Sequence, residues 1–338
     1  MRFSFTADQR LLAETVREVL AKTCPPEAVR AAAAAGPGSA ARPGPAWRAL
    51  SDVGLLGAHV PEEHGGLGLT PVDTVLAYEE TGRFAVPGPL VETAVAAPPV
   101  LRGDTGRTEA IAAGALIVSA RPADSPYLPD ADLAGLLIVA GPGGEVAIAE
   151  PDAGTSLTPH ASVDQTRRLF TADLPETGRD QAAAEAFDRA ALATAAQLLG
   201  LGRRLCGDAV AYAGQRRQFG KAIGTFQAVK HQLADVAVGL EFAAPLVYKA
   251  AYALAHGAAT APREVSAAKN AASEAAHRAA RTALQVHGAI GYTDELDLQL
   301  WLNRVWALRS AWGDDGLHRA RLRQALLAPQ RSRIARLP

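Results

Sequence analysis

Cysteine is nearly absent: Cys24 and Cys206 are the only two in 338 residues, far apart and in no ligand-like spacing. That excludes a disulfide framework and a cysteine-based zinc site, and it fits a reducing compartment. Aromatic residues are scarce at 5% while alanine is abundant, a composition suited to closely packed helices. An excess of one charge sign is missing too. With a formal net charge of −1, no bulk attraction to nucleic acid or to an anionic membrane is expected. The longest unbroken apolar stretches, such as LAGLLIVAG at 133–141, are too short to span a bilayer. No Gly-rich phosphate fingerprint occurs. The first residues, MRFSFTADQRLLAETVREVL, turn amphipathic at once rather than forming a signal peptide. A cytoplasmic protein is therefore expected.

What is present divides into three textures. Residues 1–95 read as an N-terminal helical domain. Thr6 and Gln9 form a capping box, and Leu11, Leu12, Val16, Val19 and Leu20 follow as one apolar face. Residues 96–180 change period: ALIVSA (115–120), LAGLLIVAG, VAIAEP (146–151) and RRLFTADL (167–174) predict strands of a reduced β middle domain. Residues 181–338 return to long helical patterns and predict a four-helix bundle. The fold class is thus mainly α with a small, barrel-like β part.

Three stretches carry chemistry. In YAGQRRQFGKAIGTFQAVKHQLAD (212–235), Arg216 stands at a helix junction that suits a phosphate or pyrophosphate, and Phe219 and Phe226 are placed to flank an adenine. The alternative is that Arg216 pairs with a carboxylate and both phenylalanines fill the bundle core. In ALQVHGAIGYTDELDLQLWLNR (283–304), Gly288 and Gly291 break a helix beside Gln285 and His287. In GLLGAHVPEEHGGLGLTPVDTVLAYEETGR (54–83), Glu79 and Glu80 share a helix, where paired acids usually form a solvated face.

Taken in order, the three resemble the acyl-CoA dehydrogenase family of flavoproteins. The family's W..L...GL.G...PEE.GG.G and EE.G are matched by Trp47, Leu50, Gly54, Leu55, Pro61, Glu62, Glu63, Gly65, Gly66, Gly68, Glu79, Glu80 and Gly82. Its Y...R.QFG..I..FQ.....LAD is matched by Tyr212, Arg216, Gln218, Phe219, Gly220, Ile223, Phe226, Gln227, Leu233, Ala234 and Asp235. Its Q.HGG.G is matched by Gln285, His287, Gly288 and Gly291, with Ala289 in place of the second glycine.

The resemblance implies α,β-dehydrogenation of an acyl-CoA thioester: a glutamate takes the α-proton, a hydride goes to FAD, and an electron-transfer flavoprotein takes the electrons. It implies FAD shared across a subunit interface, with Arg216, Gln218, Phe219, Phe226, Gln227, Gln285 and Gly288 on the ADP side. The ring side departs from the family. SARPADSP (119–126) stands where TEP..GSD is usual, and no tryptophan lies between Trp47 and Trp301 for the Trp-x-Thr/Ser-Asn segment. In AWGDDGLHR (311–319), Trp312 falls at the aromatic of the catalytic segment and Gly313 at the glutamate. Asp314 is then the nearest substitute base, and Asp315-Gly316 reads as a helix N-cap. The pattern resembles the short, glutamate-lacking subunit of actinobacterial α2β2 acyl-CoA dehydrogenases, which works beside a homologous catalytic partner in an oligomer. The alternatives are a self-sufficient enzyme using Asp314, or a non-catalytic protein that retains the fold.

Overall fold

The structure is a computed structural model describing residues 4–36, 43–151, 155–174, 182–293 and 295–334, with side chains up to Leu327. Helix α1 (Ala7–Thr23) begins at the predicted capping box: the Thr6 hydroxyl accepts the Gln9 amide at 3.2 Å, and the Gln9 side chain accepts the Thr6 amide at 2.9 Å. Its buried face is narrower than the pattern predicts, since Val16 and Leu20 are buried but Leu11 is exposed. Helices α2 (Pro26–Ala34), α3 (Pro45–Asp52) and α4 (Pro71–Arg83) complete the first layer.

On α4, Glu79 and Glu80 are buried rather than solvated. Glu80 takes Arg17 at 2.7 Å and Arg83 at 3.1 Å, while Glu79 takes Arg203 at 2.7 Å and the Tyr248 hydroxyl at 3.0 Å. Adjacent carboxylates can be buried here because each has its own cation. The glycine of the same motif also has a physical role. A Cβ at Gly82 would lie 2.0 Å from the Gln197 carbonyl oxygen, and one at Gly200 would lie 1.8 Å from that of Glu79. Helix α4 therefore crosses α7 (Ala182–Gln215) in backbone contact, which only glycine permits.

Helical structure continues past residue 95. A π turn at Glu92–Ala96 leads into α5 (Ala97–Val100), and α6 (Thr105–Ala112) follows. Pro98 and Pro99 cannot donate to the carbonyls of Ala94 and Val95, which frees this turn to leave α-register. The β part comprises β1 (Val118–Arg121), β2 (Leu128–Pro129), β3 (Leu136–Ala140), β4 (Val146–Ala149), β5 (Leu157–His160) and β6 (Leu169–Ala172). They make two three-stranded sheets, β1-β3-β4 and β2-β6-β5. β1 runs parallel to β3, with Ser119 opposite Leu137, and the other pairs are antiparallel.

The first sheet joins the main core, where Val118, Leu136 and Ile138 pack with Leu50, Leu198, Val265 and Trp301. The second sheet keeps a small cluster around Leu128, Leu137 and Phe170. Buried Arg304 ties the β part to the bundle by pairing with Asp164 and Thr166 and donating to the Val86 carbonyl at 2.8 Å.

In the bundle α7, α8 (Gln227–Ala255) and α9 (Ala261–His287) pack on one another, and the fourth place is shared by α10 (Leu298–Ser310) and α11 (Asp315–Ile334). A hairpin of β7 (Arg217–Gln218) and β8 (Lys221–Ala222) joins α7 to α8. Helix α8 is long and apolar enough, by length and composition alone, to cross a membrane. Its few, widely spaced charges keep each unbroken apolar run short while leaving the mean hydropathy high. Part of it is buried on α7 and α9, but Val238, Phe242 (76% exposed) and Leu246 leave an open apolar stripe.

Candidate functional site

The up-and-down order of α7, α8 and α9 brings the C-terminus of α7, the hairpin, the N-terminus of α8 and the C-terminus of α9 to one end of the bundle. All seven residues expected on the ADP side lie there. Arg216, Gln218, Phe219, Gln227, Gln285 and Gly288 are exposed and Phe226 is half-buried. Tyr212 stacks on His287 with centroids 4.3 Å apart, joining the α7 and α9 ends.

The core alternative fails at this end. Phe219 is 91% exposed at the hairpin tip, its ring edge-on to Phe226 at 6.2 Å, with the Lys221 ammonium 4.4 Å over the Phe226 ring. Arg216 makes no ion pair among the described residues. Gly288 has a φ of +64° and open space where a Cβ would stand. An unpaired guanidinium, an exposed aromatic and an open glycine fit a nucleotide's ADP part.

The second locus is the cleft between the β part and the bundle. A cavity of about 240 Å³ is lined there by Glu92, Asp124, Tyr127, Arg167, Trp312 and Asp314, among others. The SARPADSP stretch and the 311–314 turn thus line one cavity. Glu92, Arg167 and Asp124 were not singled out from sequence. The available signal was Glu92 itself, a lone carboxylate in the otherwise apolar run AVPGPLVETAVAAPPVL. Its side chain accepts the Trp312 indole N–H at 3.2 Å and Arg167 at 3.3 Å.

The turn carrying Trp312 is tightly held. Trp312 and Gly313 have φ values of +54° and +93°. Lys269, wholly buried on α9, donates to the Arg309 and Gly313 carbonyls at 3.0 and 3.1 Å. His318 Nε2 lies 3.0 Å from the Trp312 carbonyl, which can only accept, so Nε2 carries the proton. Nδ1 is then free to accept from Ser266 at 3.3 Å. Burial lowers His318 to about 4 and Lys269 to about 7, the latter partly opposed by Asp315. Burial raises Asp124, and the nearby Asp314 charge adds to it.

The helix cap falls one residue earlier than the sequence predicts. Asp314 Oδ1 accepts the Leu317 amide at 2.8 Å, so Asp314 caps α11, whereas Asp315 lies inside the helix and pairs with Arg309. At Gly313 a Cβ would stand 2.6 Å from His318 Nε2 and 2.9 Å from a Leu317 methyl. No larger residue fits that place without displacing its neighbours. The flavin-ring side therefore does not fit as the ADP side does: the aromatic is bound inward to Glu92 and the glutamate position is closed.

Residues 6–106 match the acyl-CoA dehydrogenase N-terminal domain and residues 178–327 the C-terminal domain. The chain belongs to the acyl-CoA dehydrogenase family, FAD oxidoreductases acting on CH–CH bonds. It is 34% identical over 306 residues to the acyl-CoA dehydrogenase IpdE2 of Mycobacterium tuberculosis, across 88% of this chain and 91% of that one. Its fold matches the ChsE4-ChsE5 complex from Mycobacterium tuberculosis at TM-score 0.83 and 22% identity, covering 100% of both chains. A steroid ACAD variant matches at TM-score 0.85 and 23% identity, covering 95% of this chain and 98% of that one.

Proposed function

We propose that this chain is the accessory subunit of a heteromeric FAD-dependent acyl-CoA dehydrogenase. It lends the edge formed by Arg216, Gln218, Phe219, Phe226, Gln227, Gln285 and Gly288 to the ADP part of FAD. A homologous partner chain holds the flavin ring and the catalytic glutamate. The observation that carries this reading is Gly313. Removing the α-proton of an acyl-CoA demands a base within reach of that carbon, and at Gly313 a side chain would strain the left-handed backbone and displace His318 and Leu317. The open stripe of Val238, Phe242 and Leu246 on α8, the helix that Gln227 begins, gives the partner an apolar face to cover. Acyl-CoA is then the substrate of the complex, and an electron-transfer flavoprotein its electron acceptor, in the cytoplasm. The steroid ACAD among its structural neighbours favours a sterol-derived acyl group.

The test is to purify the chain alone and co-expressed with a homologous chain carrying the glutamate, then record flavin absorption and acyl-CoA dehydrogenation. The expected result is one FAD per pair of chains and activity only in the mixed complex. A yellow, active protein from this chain alone would refute the accessory role. A self-sufficient enzyme using Asp314 draws support from that residue's place in the cleft wall. Asp314→Asn keeps a capping side chain and removes the base, so unchanged turnover in an active preparation excludes Asp314 as catalyst.

A further inference from the structure

We propose that Trp312 is a plug that keeps the flavin ring out of this chain's own cleft, with Glu92 as its latch. The proposal rests on the accessory-subunit reading and supplies its physical cause. Three cavities of about 220, 240 and 20 Å³ share Trp312 as a lining residue. The 240 Å³ cavity is bounded by parts of the two segments, 119–126 and 311–314, that the family resemblance assigns to the flavin-ring side. A flat indole thus occupies the junction where a flat isoalloxazine would have to enter.

Two other tryptophans, Trp301 and Trp47, show how an ordinary core indole is held here. Trp301 sits in helical backbone and donates to the Arg83 carbonyl at 2.9 Å, and Trp47, also helical, donates to the Gly114 carbonyl at 3.3 Å. Trp312 instead takes a left-handed backbone that a bulky residue rarely adopts, and its N–H goes to a buried carboxylate. That carboxylate is 4% exposed and is presented by a π turn, and the same Oε1 that accepts the indole N–H also takes Arg167 at 3.3 Å. Lys269 and His318 fix the carbonyls around the tryptophan, and Phe187 packs its ring against the indole at 6.4 Å. Strain at one residue, held from four directions, marks a side chain placed to fill a particular space.

The test uses riboflavin, which presents the ring without the ADP part. It is titrated into the full chain, wild type and variants, with flavin fluorescence as readout and circular dichroism to confirm folding. Wild type and Trp312→Phe, which retains the bulk, should show no saturable binding. Trp312→Ala joins the three cavities and should bind riboflavin tighter than wild type by roughly tenfold or more. Wild type binding as tightly as Trp312→Ala, or a folded Trp312→Ala that gains nothing, overturns the plug. If Trp312→Ala does not fold, Trp312→Leu carries the same two outcomes. The accessory reading fails separately. Riboflavin gain without any mixed complex leaves the plug standing, whereas one FAD per pair of chains without riboflavin gain leaves only the accessory role.

Discussion

Phe219 at the bundle end and Trp312 in the cleft both hold a left-handed backbone, yet one is 91% exposed and the other 5%. Each carries strain of about 1–3 kcal/mol. For Trp312 the offset lies within the chain, in Glu92, Lys269, His318 and Phe187. For Phe219 the described contact is a single edge-on ring, Phe226. Strain that the chain itself offsets belongs to a finished interior, and strain left open at a surface belongs to a site completed by something else. The first region should therefore answer to stability measurements and the second to ligand affinity.

The largest separation is expected at Arg304, which joins the β part to the bundle. Arg304→Ala strands the buried Asp164 carboxylate and should cost about 3–5 kcal/mol in denaturant unfolding. Next comes acid. His318 binds a proton more weakly folded, at about 4, than unfolded, so the unfolded chain takes up the extra proton as pH falls below the usual histidine range. The stability it contributes is full above about pH 6.5 and is lost progressively toward pH 4, by up to about 3 kcal/mol. The unfolding midpoint should track that window, and His318→Gln should flatten part of it. His59, also lowered to about 4 by burial, titrates over the same range.

At the open end the signs reverse. Arg216→Gln should weaken FAD binding by the complex by roughly tenfold or more through loss of a charge-assisted contact. Its unfolding free energy should stay within about 0.5 kcal/mol of wild type. An Arg216 variant that loses stability instead would break the contrast. The smallest effect is at Asp314. Its alanine variant should lose about 1 kcal/mol as a helix cap is removed, and its asparagine variant much less.

Much of this layout was legible from local pattern. The Thr6–Gln9 box, the long bundle helices and four of the strands announce themselves through caps, periodicity and apolar runs. β2 and β5 do not, because the first has two residues and the second is largely exposed and contains Pro159. The residues proposed for the ADP side could be named because they sit in two short ordered motifs, which the topology brings to one end of the bundle. Burial of Glu79 and Glu80 was missed because, Arg83 apart, their partners Arg17, Arg203 and the Tyr248 hydroxyl come from three other helices. The cleft was half legible: Gly313 could be placed by counting, but Glu92 meets Trp312 across 220 positions, and no periodicity reports such a pair.

The π turn at Glu92–Ala96 gives the Glu92 contact an unusual dependence on residue count. A π turn holds one residue more than the α turn it replaces, and each α-helical residue advances the chain by about 100°. Deleting Thr93, Ala94 or Val95 from this turn would leave composition and hydrophobicity nearly unchanged while swinging position 92 around the helix axis, away from the indole. What fixes the carboxylate against Trp312 is therefore the length of the segment as much as its chemistry. An insertion or deletion here would rewire the cleft without altering a single residue that lines it.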